Sequence, residues 1–405
     1  MNRRMRLFPF IILAIVVLLQ MYAFFGMQHV LFQYSASLQM IVLSIFYTLF
    51  GLSLISFFLV FYRGKMVSTA LRNFMLASVF INLFSVLFFD LFVLLDDLRY
   101  MLVWIFQDNP LNSSYVLISL GLIGAILPAF LLIMGMIFGP YRYKIRETVI
   151  HLPKLPRVFN DFKIVQISDI HSGSLYNVKA VNKGVDMILA QQADVIFFTG
   201  DLVNDHAEEM NPFMDTFSRI KAPMGVFSIL GNHDYGDYTS WHSEKDKKEN
   251  FERLKAIHGQ IGWKLLLNEH LYLEKGDDKI ALIGVENWGI GFHKMGDLAQ
   301  AHTGTQADVK LLLSHDPTHW DEEITKFFTD IDITFSGHTH GAQMGFEWGK
   351  YRWSPIQLRY KKWAGLYSLK NQYLYINRGF GFLGYPGRLG IWPEISVITL
   401  KSDSN

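Results

Sequence analysis

The chain has 405 residues, 37 Lys and Arg against 36 Asp and Glu, a formal net charge of +1, and no cysteine. The missing cysteine excludes disulfides, iron–sulfur clusters, thiolate zinc sites and cysteine nucleophiles; the near-zero charge argues against a general nucleic-acid binder, so none is expected as a partner. Residues 1–140 hold 7 Lys/Arg and 4 Asp/Glu, while residues 141–405 hold the other 30 and 32, a net of −2. The chain therefore reads as a membrane domain (1–140), a basic linker (141–157) and a soluble domain (158–405).

Four apolar runs, Phe8–Met27, Leu38–Tyr62, Phe74–Leu95 and Tyr115–Phe138, reach the roughly 20 residues that cross about 30 Å of hydrocarbon as helix. The run at Phe8 is long, lacks a small-residue cleavage site and is followed by three more, unlike a signal peptide. Arg3, Arg4, Arg6, Arg63, Lys65, Arg72, Arg142, Lys144 and Arg146 fall on one side of the four spans. Arg99 alone, with Asp96, Asp97 and Asp108, falls on the other. The positive-inside rule then predicts a multi-pass protein of the cell membrane with its soluble domain in the cytoplasm. Asp90, inside the third run, is read as reaching headgroups or a neighbouring helix.

After a connector punctuated by Pro153 and Pro156, the pattern changes to short β-rich runs that end in polar residues. Strands are predicted at 162–168, 195–199, 226–230, 310–313 and 331–335, helices near 178–192, 206–220 and 243–258, and further strands near 271–275, 280–286, 373–377 and 395–400. This predicts a layered α/β domain with two sheets. Five of these strands run into a metal-ligand residue type: Asp169-Ile-His171, Gly200-Asp201, Gly231-Asn232-His233-Asp234, Ser314-His315 and Gly337-His338-Thr-His340. Ligands of open α/β sheets gather outside the carboxyl ends of strands. Each tripeptide alone is explained by helix caps, turns or packed histidines; five in register are not.

These five blocks, in this order, resemble the calcineurin-like metallophosphoesterase superfamily, over about 158–400. The resemblance is closest to a membrane-associated bacterial branch that includes a UDP-2,3-diacylglucosamine pyrophosphatase. It implies a four-layer α/β/β/α sandwich with a two-metal site between the sheets. By the resemblance Asp201 bridges two divalent ions, Asp169, His171 and His340 complete the shell of one, and Asn232, His315 and His338 that of the other. Carboxylate, amide and imidazole donors without thiolate suit Mn, Fe or Zn and do not select among them. His233 is the expected non-ligand histidine at the leaving oxygen, with Asp234 setting its tautomer and keeping it cationic. His338 and His340, two apart, require a loop rather than an ideal strand to turn both inward. His319 is read as a packing or surface residue.

Two segments are candidates for specificity. Phe346–Trp363 interleaves Phe346, Trp348, Tyr351, Trp353, Tyr360 and Trp363 with Lys350, Arg352, Arg359, Lys361 and Lys362, which suits a membrane interface, a stacked base or a plain hairpin. The glycine-rich Asn377–Pro393 carries Arg378 and Arg388, expected as substrate-binding residues in a phosphate-cradling loop, with a turn-forming loop that holds no ligand as the other reading. The function expected is hydrolysis of a phosphodiester or pyrophosphate of a lipid-linked substrate such as UDP-2,3-diacylglucosamine at the bilayer. A soluble nucleotide or phosphoprotein substrate, or a non-catalytic membrane sensor, are the alternatives.

Overall fold

A long uncharged run in an apolar medium has to satisfy its backbone internally, which a helix does. The computed structural model describes residues 3–32, 34–63, 69–107, 114–349 and 351–402. They fall into two units, Met1–Ile137 with Gly384–Pro386, and Phe138–Leu383 with Gly387–Asn405. The first unit is built of helices α1 (Arg3–Leu31), α2 (Ala36–Arg63), α3 (Thr69–Gln107), α4 (Tyr115–Gly124) and α5 (Ile126–Phe138). Among the described residues three stretches are long and apolar enough to cross a membrane: Ala36–Leu59, Leu71–Phe106 and Tyr115–Phe138. The expected fourth falls in α1, whose described side chains hold the apolar stretch Leu13–His29. The side chains of Phe8–Ile12, with which that run opens, lie outside the described residues, as do Lys65, Asp108 and Lys350. Polar groups inside the unit pair with one another. Gln20 Nε2 donates to Asn82 Oδ1 at 2.6 Å and Ser78 Oγ to Ser56 Oγ at 2.9 Å.

The second unit opens on a departure from the expected linker. Residues Lys144–His151 form strand β1, with Lys144, Ile145 and Glu147 exposed. Its alternation of polar and apolar residues is that of an edge strand, which a proline-punctuated basic segment hides. The other strands are β2 (Phe162–Ile167), β3 (Val195–Phe198), β4 (Val226–Ser228), β5 (Lys264–Leu265), β6 (Glu269–Lys275), β7 (Asp278–Gly284), β8 (Lys310–Leu313), β9 (Ile333–Ser336), β10 (Phe346–Trp348), β11 (Tyr351–Trp353), β12 (Gly365–Leu369), β13 (Gln372–Ile376) and β14 (Glu394–Lys401). They make two six-stranded mixed sheets, β1-β14-β2-β3-β4-β5 and β12-β13-β9-β8-β7-β6, and a β10-β11 hairpin. The prominent helices are α6 (Val178–Leu189), α7 (Met214–Phe217), α8 (Glu244–Gln260) and α9 (Leu298–His302). The helix expected near 206–220 is a 3-10 turn over Ala207–Phe213 followed by α7.

Side-chain alternation builds the layers. Phe162 and Ile164 of β2, with Val195 and Phe197 of β3, join Leu311, Leu313, Ile333 and Phe335 of the other sheet in one buried cluster. Val165, Ile167, Ile196 and Phe198, on the opposite faces, pack under Val181, Val185 and Ile188 of α6 and Leu254 and Ile257 of α8. Leu312, Leu374 and Ile376 likewise pack under Leu298 and Ala301 of α9. Strands buried on both faces are continuously apolar, so each must stop where a polar residue begins. That stop is where the site lies.

One core residue carries a measurable consequence. His258, at the end of α8, is fully buried beside Phe198 and Trp263, and neither ring nitrogen has a hydrogen-bond partner among the described residues. Burial pulls its pKa from 6.5 down to about 3. The unfolded chain therefore takes up this proton first: stability is full above pH 6.5 and is lost as pH falls toward 3. At pH 4 the loss is about 3 kcal/mol. His258→Phe should move the midpoint of acid unfolding, followed by tryptophan fluorescence, to lower pH; an unchanged midpoint would contradict this assignment.

Candidate metal centre

The residues following β2, β3, β4, β8 and β9 converge. Asp169, His171 and His340 form one buried group whose ligand atoms lie within 4.8 Å of one another, and Asp201, His315 and His338 form a second. Asp201 Oδ2 is 3.2 Å from His315 Nε2 and 3.4 Å from His171 Nε2, so one carboxylate touches both groups. Asp169 Oδ1 is 3.3 Å from His340 Nε2.

The backbone at these positions is strained. Asp169, His171, Asp201, His338 and His340 all have positive φ, between 47° and 72°. Side chains rarely adopt this region, and such residues persist where the surroundings fix them. This is the loop geometry that lets His338 and His340 both face inward. The motif glycines answer to space. A Cβ at Gly231 would lie 2.2 Å from Asp201 Oδ1, and one at Gly337 would lie 2.3 Å from Asp169 Oδ2. Glycine leaves room for the two carboxylates to sit against neighbouring backbone.

Hydrogen bonds set the free atom of each ligand. His171 Nδ1 meets Asn204 Oδ1 at 3.1 Å and His315 Nδ1 meets the Thr199 carbonyl at 2.7 Å, turning both Nε2 atoms to the centre. His338 N–H donates to both Asp169 oxygens at 3.0 Å. Burial would raise the pKa of Asp201, but the facing His315 and His233 outweigh it and hold Asp201 well below the usual carboxylate range. Burial disfavours a cationic His315, yet Asp201 and Asp169 push it up to about 10.

These donors fit a pair of divalent ions. His171 Nε2, His340 Nε2 and Asn232 Oδ1 are buried and have no hydrogen-bond partner among the described residues. Orphaned buried atoms of this kind cost free energy unless a ligand or ion takes them. When bound, two ions would lower the pKa of a water between them and neutralise phosphoryl oxygens.

The arrangement corrects several expectations. Asp234 does not orient His233. Its fully buried carboxylate accepts from the backbone N–H of Asp201 (2.9 Å), Leu202 (2.8 Å) and Gly231 (2.8 Å), clamping the β3 and β4 ends together. His233 Nδ1 instead meets the Asn204 carbonyl at 2.8 Å, while its backbone N–H donates to Asp201 Oδ1 at 2.9 Å. Nor is His233 kept cationic: burial lowers it to about 4, so near neutral pH it presents a neutral ring whose Nε2 accepts a proton. His233→Ala should lower kcat by about 10²-fold. A His233→Ala variant with a kcat within about threefold of the wild type would contradict this role.

Arg378 and Arg388 are not offered to a substrate. Arg378 is buried against Glu394 and Glu347. Arg388 is fully buried, donates to the Gly379 and Gly381 carbonyls, and meets His340 Nδ1 at 3.3 Å. His319 is a packing residue, stacked on Trp288 and bonded to Ser314 and Glu323. Four neighbours of the centre lie outside the predicted ligand and catalytic set. Asn204 holds His171 and His233. Tyr238 accepts from Asn232 Nδ2 at 2.8 Å and stacks on His233. Tyr360 bonds His338 Nε2 at 2.8 Å, and buried Asp316 lies 3.5 Å from the same nitrogen. For Asn204 the signal is its place three residues after Asp201, beyond the buried Leu202 and Val203; Tyr360 lies in the aromatic segment named as a specificity candidate, and Tyr238 has no signal.

The chain is similar to several known proteins. Residues 162–342 match the family model described as calcineurin-like phosphoesterase. The uncharacterized metallophosphoesterase YkuE of Bacillus subtilis is 29% identical over 268 residues, covering 65% of this chain and 87% of that protein. A transmembrane protein with metallophosphoesterase domain from Danio rerio is 28% identical over 290 residues, covering 68% of this chain but 61% of that protein. Among solved structures, Thermus thermophilus sulfate thiohydrolase SoxB in complex with glycerol is similar with a TM-score of 0.34 and 12% identity, over 61% of this chain and 57% of that chain. Residues 162–342, which carry the two buried His/Asp groups at the strand ends of the two mixed sheets, are thus similar to the calcineurin-like phosphoesterase family.

Proposed function

We propose that the protein is a two-metal phosphoesterase that hydrolyses a phosphodiester or pyrophosphate bond of a lipid-linked substrate at a membrane. The observation that carries the hydrolytic reading is Asp201, within 3.4 Å of a histidine from each of the two ligand groups. In this reading His233 accepts or relays the proton at the reacting phosphate, and Asn204 holds its ring. The lipid part is supported by the three apolar helices. It is also supported by the β10-β11 hairpin, where Phe346, Trp348, Tyr351 and Trp353 are exposed while Tyr360 and Trp363 turn into the domain. Interfacial aromatics of this kind suit a bilayer surface. The UDP-2,3-diacylglucosamine type of pyrophosphate is the specific substrate we favour, supported by sequence resemblance alone. A cytoplasmic domain is supported by the distribution of Arg and Lys; it requires α1 to cross as a fourth span, and at 29 residues α1 has a length of about 43 Å.

The test is hydrolysis by full-length protein in mixed micelles with Mn²⁺, with UDP-2,3-diacylglucosamine and bis-p-nitrophenyl phosphate assayed in parallel. Metal-dependent cleavage strongly favouring the lipid supports the proposal. Cleavage of the generic diester alone retains the chemistry and removes the lipid substrate.

A further inference from the structure

The stretch from 352 to 388 contains four arginines, Arg352, Arg359, Arg378 and Arg388. Three are engaged internally. Arg352 donates to the Ala364 carbonyl, Arg378 pairs with Glu347 and Glu394, and Arg388 caps the Gly379 and Gly381 carbonyls. Arg359 differs: it is exposed and, among the described residues, has no carboxylate partner. It is nevertheless held in place. Its guanidinium carbon lies 5.6 Å from the centre of the Phe292 ring and 5.4 Å from that of Tyr360. Both rings pack on His338, at 4.9 Å and 5.5 Å between centroids, and Tyr360 also bonds the His338 Nε2.

Aromatic faces position a guanidinium without neutralising it, leaving its in-plane N–H donors for another group. The metal centre therefore has at its mouth a held, uncompensated cation. Tyr238, stacked on His233 at 4.3 Å, supplies an exposed ring beside the centre. A simple phosphodiester brings one negative charge, which the ions at the centre would already meet. A separate cation on the rim answers to a second charge close to the first.

We propose that Arg359 is the binding group for a second phosphate of the substrate, adjoining the one at the metal centre, so that the site selects pyrophosphate-type esters over simple diesters. This deepens the phosphoesterase reading and rests on it. Arg359 acts here as a specificity residue outside the catalytic set.

The experiment is calorimetric titration of Mn²⁺-loaded full-length protein with methylenediphosphonate and with orthophosphate, for the wild type, R359Q and R359K. The wild type should bind the diphosphonate more tightly. R359Q should lose about 10- to 100-fold for the diphosphonate and under about twofold for orthophosphate. R359K, a point charge without the planar fork, should recover part of the loss. Equal losses for both anions, no loss for either, or a wild type that binds neither would overturn the proposal. Turnover of bis-p-nitrophenyl phosphate is followed in the same samples. A diphosphonate preference that depends on Arg359 in a protein without turnover would retain the anion site and remove the hydrolytic reading. Turnover with no such preference would do the reverse.

Discussion

Asp201→Asn should lower metal-dependent hydrolysis by about 10³-fold or more while leaving the fold intact. Asp201 contributes one oxygen within 3.4 Å of His171 and His315 together, and the other accepts the His233 N–H at 2.9 Å. The amide keeps the shape and an acceptor oxygen but removes the charge that a carboxylate shared by two cations must supply. It also removes the anion that His315 faces in the absence of metal. Circular dichroism should therefore be unchanged while turnover and one equivalent of bound metal are lost. Wild-type rates in the variant would show that the two ligand groups do not act as one centre.

Asp234→Ala should be the most destabilising single change near the site. Its carboxylate takes three backbone N–H groups within 2.9 Å, from Asp201, Leu202 and Gly231, on the two loops that carry Asp201 and Asn232. Truncation leaves these donors buried and unpaired, at about 1–3 kcal/mol each, for a loss of roughly 4 kcal/mol. For a domain of this size that lowers the melting temperature by about 10 °C. Asp234→Asn, which keeps one acceptor oxygen, should lose less. A melting curve of Asp234→Ala within about 2 °C of the wild type would contradict the clamp.

The contrast between Asp201 and Asp234 marks how far the sequence can be read. The candidate ligand residues are legible because the central strands, buried on both faces, are mostly apolar and give way to polar residues at their carboxyl ends. Each stop, at Asp169, Asp201, Asn232, His315 and His338, is visible in the chain itself. The role of Asp234 is not, because its partners Leu202 and Asp201 are 32 and 33 positions away and are backbone groups without a side-chain signature. Arg378 and Arg388 illustrate the same limit. A glycine-rich loop with two arginines has the composition of a phosphate cradle, but Glu347 and Glu394 reach Arg378 through the fold. Strand β1 was hidden for another reason: an edge strand with exposed Lys144 and Glu147 lacks the apolar run that identifies a central strand, and it pairs with β14 alone.

In the helical unit, length and hydropathy were legible over Leu38–Tyr62, Phe74–Leu95 and Tyr115–Phe138, all of which overlap stretches long and apolar enough to cross a membrane. The third is longer than its sequence signal, since α3 continues past Asp96 and Asp97 to Gln107. Helix formation there does not end where the apolar run does, because buried Asp96 is neutralised within the helix by Arg99 one turn on and accepts the Ser114 N–H.

The central claim is a binuclear centre, and the most direct measurement is its metal stoichiometry. Full-length protein stripped with a chelator is titrated with Mn²⁺ by calorimetry, alongside Asp201→Asn. The structure predicts two ions per chain in the wild type and fewer in the variant. One ion or none in the wild type, with Asp201→Asn unchanged, would contradict it.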